Sequence, residues 1–155
     1  MCLVCGLKNP YGLKAWFYEL EGGDLVATFT GREEHQGYPG RLHGGIATAI
    51  LDEAIGRTIR AHHGDALWGV TVEVAVRFKK PIPLGTKLTV RCRLTGEDSR
   101  FFEGTGEIML PDGEIAATGK GKYIKLALER IADFNADEQE WKVSPSPDDP
   151  TEFAL

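Results

Sequence analysis

Hydrophobic and polar residues alternate with a period of two through much of this chain. The clearest case is 70–78, where Val72, Val74, Val76 and Phe78 face one way and Thr71, Glu73, Ala75 and Arg77 the other. Similar runs predict strands over 13–20, 25–30, 87–94, 101–110 and 114–125. Between the second and third runs the period changes, and apolar residues at helical spacing predict one long helix from about Ile46 to Arg60. Glu21-Gly22-Gly23-Asp24 and Pro111-Asp112-Gly113 supply the turn chemistry of hairpins. The order β-β-α-β-β-β-β predicts an α+β fold, with one long helix wrapped by a curved, mainly antiparallel six-stranded sheet. Gly104, Gly106, Gly119 and Gly121 interrupt the last two strands, marking bulges or places where the helix or a ligand nears the backbone.

Composition narrows the class. The 155 residues are 42% hydrophobic and 26% charged, as in an ordinary globular protein, and suffice for one domain with a good core. From Asp133 onward Asp, Glu, Ser and Pro dominate, so the reading is a domain at 1–132 and an acidic, mobile tail at 133–155. No apolar run approaches the ~20 residues of a membrane span, and the apolar start lacks the basic flank of a signal peptide. The expectation is a cytoplasmic protein. A formal net charge of −5 argues against nonspecific nucleic-acid binding but leaves room for an anionic small ligand on a local basic patch.

Three cysteines in a chain without an export signal argue against structural disulfides. Cys2 and Cys5 form a C-x-x-C, half of a zinc ligand set, and no second such pair or closely spaced Cys/His pair completes it. His62 and His63 are adjacent, which is poor spacing for ligands on one helix face. No metal site within one chain is expected, and one shared between subunits stays open. Cys92 alternates with Leu88, Val90 and Leu94 and reads as a small core residue.

The candidate chemistry sits at the helix. Gly40-Arg41-Leu42-His43-Gly44-Gly45 opens it, and the leading N–H groups of a helix have no internal partner and favour negative charge. Glycines 44 and 45 let a substrate approach that backbone, where an oxyanion from a thioester or ester carbonyl would fit. His43 is placed to orient the turn, to donate to the carbonyl, or to cap the helix. Asp52 lies on an apolar face with Thr48, Ala49, Ile55 and Gly56 as helical neighbours, none of them cationic. Glu53 differs, because Arg57 stands four residues on, the spacing of a solvated ion pair. Asp52 is therefore the candidate base or nucleophile. Gly44 and Asp52 are eight residues apart, about 12 Å along a helix at 1.5 Å per residue. One straight helix cannot bring both within roughly 3 Å of one reacting carbonyl, so either the two do not act together or they come from different subunits, and the second is the reading taken.

These residues resemble the hotdog-fold acyl-CoA thioesterases, in particular the branch of the phenylacetate-pathway and mitochondrial long-chain enzymes. The resemblance covers roughly residues 12–125. It rests on Gly37-Tyr38-Pro39-Gly40, His43-Gly44-Gly45, Asp52-Glu53 and Arg77-Phe78-Lys79-Lys80-Pro81-Ile82-Pro83. It implies that Asp52 is the catalytic carboxylate, that Gly44 supplies the oxyanion-hole N–H, and that His43 is the histidine beside it. Thr71 matches a residue that positions substrate or water in some members. Gly37 stands where many members carry Asn or Gln, so no side-chain amide is expected at the carbonyl. Gly45 is a further backbone contact for substrate, and Arg77, Lys79 and Lys80 are candidate contacts for the anionic CoA moiety. Homodimers or dimers of dimers with sites at the subunit interface are implied, and no cofactor. The same fold also hosts noncatalytic acyl-CoA binding modules and hydratases, the latter usually with Asp-x-x-x-x-His, a spacing missing here.

Overall fold

The computed structural model describes residues 1–133 together with 138, 145, 149, 150, 152 and 153. Most of the stretch read as an acidic tail lies outside the described residues. The strands are β1 (Trp16–Glu19), β2 (Leu25–Thr30), β3 (Trp68–Phe78), β4 (Lys87–Glu97), β5 (Phe101–Met109) and β6 (Ile115–Leu126). They form one antiparallel sheet in the order β1-β2-β4-β5-β6-β3. The long helix α1 spans Gly44–Arg57, and a single further turn, α2, spans Arg60–His63.

α1 buries Ala47, Ile50, Leu51, Ala54 and Ile55. Their spacing by three and four residues makes one apolar stripe, which lies in the concavity of the sheet. The helix comes so close that several sheet positions have no room for a side chain. A Cβ at Gly106 would stand 2.8 Å from Cys92 Sγ and 3.0 Å from Ile55 Cγ1, and one at Gly104 would stand 2.8 Å from Ile55 Cγ2. At Gly121 the crowding atom is instead the Tyr123 hydroxyl, 2.4 Å away.

The helix starts two residues before the predicted Ile46 and ends three before Arg60. The early start follows from His43, whose Nδ1 accepts a hydrogen bond from Gly45 N–H and caps the first turn. At the other end both the amide and the hydroxyl of Thr58 donate to Ile55 O, which tightens the last turn. A second correction concerns β3. Its pairing with β6 slips between Thr71 and Glu73, so the strict alternation expected for 70–78 breaks there. Thr71 therefore shares the helix side with Val76, which packs on the core, while Val72 is 57% exposed.

β3 is the edge of the sheet and pairs only with β6 among the described residues. It is long, and it leaves Val72 and Phe78 more than half exposed. The N-terminal lead folds back on the domain through Leu13 N–H to Leu3 O and Ala15 N–H to Val4 O, each 2.9 Å, and buries Val4. No helix among the described residues is long and apolar enough to cross a membrane.

Candidate active site

α1 carries one group of interest at each of two places. At its entry the loop 31–42 is held by the buried His35, whose Nδ1 accepts from Arg32 N–H at 3.0 Å and whose Nε2 lies 2.8 Å from Tyr11 O. His43 N–H then bonds to His35 O at 2.9 Å, which fixes the residue that caps the helix. Because Nδ1 of His43 accepts from Gly45 N–H at 2.9 Å, a neutral ring carries its proton on Nε2. Ile46 and Ala47 N–H both bond to His43 O at 3.0 Å. Gly44 N–H is left without a partner among the described residues, at the positive end of the helix dipole. Gly45 N–H, the other backbone donor expected at this site, is already taken by the histidine. Gly37, Tyr38, Leu42, His43 and Gly44 line a cleft here of about 340 Å³. Gly37 packs tightly, since a Cβ there would lie 3.1 Å from His43 Cα.

The second place is Asp52, two turns along. Thr71 Oγ1 of β3 donates to Asp52 Oδ1 at 2.9 Å. The Tyr123 hydroxyl of β6 donates to the same oxygen and to Asp52 O, each at 3.1 Å. Thr71 and Tyr123 are cross-strand partners, so the sheet presents two hydroxyls side by side to one carboxylate oxygen. Oδ2 receives no hydrogen bond among the described residues. Tyr123 is 1% exposed and stacks on Phe102 at 4.9 Å between centroids. Burial, and then the neighbouring Asp52 charge, push its hydroxyl far above the usual tyrosine range, so it remains a donor. A cleft of about 260 Å³ opens at this carboxylate, with Gly56, Trp68, Thr71, Tyr123 and Ile131 in its wall.

Glu53 behaves as its spacing predicts and pairs with Arg57 at 2.7 Å. The Arg57 guanidinium also lies 4.4 Å from the Phe17 ring centroid. The structure adds a neighbour that the sequence did not suggest. Cys2, Cys5 and Glu53 bring their sulfur and carboxylate atoms within 4.8 Å of one another. Of the three basic residues considered for CoA, Lys80 pairs with Glu114. Arg77 and Lys79 carry no ion pair among the described residues.

Sequence reasoning missed Tyr123. It has no local spacing relation to Asp52 and reaches it only through the pairing of β6 with β3.

The helix in its curled sheet defines the hotdog fold. Residues 39–117 match the thioesterase superfamily, just over half of the chain's 155 residues. The chain belongs to this superfamily. It is similar to the acyl-coenzyme A thioesterase THEM4 of Bos taurus, 30% identical over 109 residues, or 60% of this chain and 44% of that protein. The Mus musculus THEM4 is 34% identical over 116 residues, 64% of this chain and 49% of that protein. The chain thus spans about half the length of the curated relatives it matches. A crystal structure of a thioesterase superfamily protein superposes with a TM-score of 0.72 at 27% identity, over 79% of this chain and 62% of that one. The E. coli PaaI protein from the phenylacetic acid degradation operon superposes at 0.66 with 19% identity, over 74% and 80% of the two chains, a likeness of fold.

Proposed function

We propose that the protein hydrolyses an acyl-CoA thioester to the free acid and CoA, as a homodimer whose sites each draw on both subunits. The observation that carries this reading is Asp52. Two hydroxyls fix one of its carboxylate oxygens, the other receives no hydrogen bond among the described residues, and Asp52 lines a cleft. A carboxylate held in that way is oriented for work on a water or on a carbonyl.

In the general-base route Asp52 Oδ2 takes a proton from water as the water oxygen attacks the thioester carbon. The carbonyl oxygen becomes an oxyanion and accepts from Gly44 N–H. Collapse of the tetrahedral adduct breaks the C–S bond and releases the CoA thiolate. In the nucleophilic route Asp52 attacks the carbon itself, the C–S bond breaks with release of the CoA thiolate, and water then hydrolyses the mixed anhydride to the free acid and the Asp52 carboxylate. His43 caps and orients the turn in either route. Arg77, near the end of β3, and Lys79, just beyond it, carry no ion pair among the described residues and are the cations best suited to the CoA phosphates.

Two features support the dimer. The clefts at Gly44 and at Asp52 are lined by separate residues and are about 12 Å apart along α1. β3 also offers a long open edge with exposed Val72 and Phe78, which invites a second copy. The THEM4 relatives are named acyl-coenzyme A thioesterases, which favours acyl-CoA as the thioester class.

The test is turnover of an acyl-CoA panel, aromatic and medium to long chain, followed by free-thiol release alongside equilibrium binding. The reading expects turnover of at least one member, with binding retained and turnover lost in Asp52→Asn. Binding without thiol release across the panel would identify a noncatalytic binding module instead.

A further inference from the structure

The C-x-x-C at the N-terminus lies outside the chemistry described above, yet it is a built structure. Gly6 N–H bonds to Cys2 O at 3.1 Å and closes a tight turn around the pair. Val4 N–H donates to Cys2 Sγ at 3.3 Å. Glycine is required after the second cysteine, since a Cβ at Gly6 would stand 2.5 Å from both Cys2 N and Cys2 O. A knuckle of this kind points both sulfurs to one side and supplies a backbone donor to the first of them.

What they point toward is α1. Cys5 Sγ is 4.0 Å from Glu53 Oε1, and all three donor atoms of Cys2, Cys5 and Glu53 lie within 4.8 Å of one another. Tetrahedral zinc, with bonds of about 2.0–2.3 Å, holds its ligand atoms roughly 3.5–3.8 Å apart. The cluster needs to contract by only about an ångström. Charge also balances. Two thiolates and a carboxylate carry three negative charges, and the Arg57 guanidinium removes one. It sits 3.3 Å from Cys5 Sγ and 2.7 Å from Glu53. A divalent cation neutralises the remainder, with Arg57 as an outer hydrogen-bond donor to a coordinated sulfur.

We propose that Cys2, Cys5 and Glu53 form a binding site for a thiophilic divalent cation of the zinc class, with a fourth position left to water. The site staples the N-terminal lead to the middle of α1, next in sequence to Asp52. The ligand set escapes sequence inspection because its third member is a glutamate remote from the cysteines, already matched with Arg57.

The experiment titrates reduced, metal-free protein with cobalt(II) and reads the thiolate-to-cobalt charge-transfer band. One equivalent per chain is expected. The band should vanish in Cys2→Ser and in Cys5→Ser and persist in Cys92→Ala, whose thiol is in the core. Glu53→Gln should weaken cobalt binding by about tenfold or more. Wild-type protein gives a second readout that needs no variant. Saturating zinc should protect Cys2 and Cys5 from alkylation, read by peptide mass, and chelation should restore it. Absence of the band, its survival in both Cys2 and Cys5 variants, or alkylation unchanged by zinc would overturn the proposal. So would a pair that only oxidises to a disulfide and takes up no metal when reduced.

Discussion

Thr71 reaches from the edge strand to the helix and donates to Asp52 Oδ1 at 2.9 Å, beside the Tyr123 hydroxyl on the same oxygen. Both donors act through Asp52 and make them positioning residues. A net hydrogen bond of this kind is worth about 1 kcal/mol, so Thr71→Ala and Tyr123→Phe should each lower kcat roughly fivefold with little change in KM. The double variant should lose more than the product of the two singles, because in each single the remaining hydroxyl still holds Oδ1. Steady-state kinetics of the singles and the double checks this.

The adjacent acids should separate sharply. Asp52→Asn is expected to lower kcat by about 100-fold or more, the scale for a lost base or nucleophile. Glu53→Gln should change it only a few-fold, since Glu53 is engaged with Arg57. Equal losses in the two variants would mean that the helix is read from the wrong side.

Tyr123 also sets an alkaline limit. Its folded pKa is raised by burial and by Asp52, so above pH 10.0, the ordinary tyrosine value, the unfolded chain gives up this proton before the folded one does. Stability from this group is therefore constant below that pH and falls as pH rises beyond it. Denaturant melts should show a steeper alkaline loss for the wild type than for Tyr123→Phe. Parallel curves would contradict the assignment.

The tight seat of α1 on the sheet predicts the cost of filling it. Gly106→Ala places a Cβ against Cys92 and Ile55, neither of them the tip of a long flexible chain. A loss of about 1–3 kcal/mol is expected, visible as a melting temperature lower by several degrees. Gly96→Ala, where nothing lies within 4 Å, is the control for strand position.

Much of this architecture is legible from periodicity. The strand at 25–30 falls where alternation puts it, and the apolar stripe of α1 announces a helix on a core. The choice of Asp52 over Glu53 as candidate rests on one local spacing, and the Glu53–Arg57 pair has the geometry that spacing demands. Features set by strand pairing are hidden. The slip between Thr71 and Glu73 turns Thr71 to the helix side against the apparent alternation, and Tyr123 meets Asp52 only because β6 lies beside β3. Thr71 enters the sequence reading through family resemblance, and Tyr123, having neither resemblance nor spacing, does not enter it.

The shared site has the most direct test. Asp52→Asn leaves the oxyanion donor intact, and Gly44→Val leaves the carboxylate intact while crowding the N–H. Each alone should be inactive. Unfolded together in equal amounts and refolded, they form mixed dimers with one doubly defective site and one complete site. Random pairing makes half of the dimers mixed, so activity should return to about a quarter of wild type. No recovery, with mixed dimers present by mass, would contradict a site drawn from two subunits.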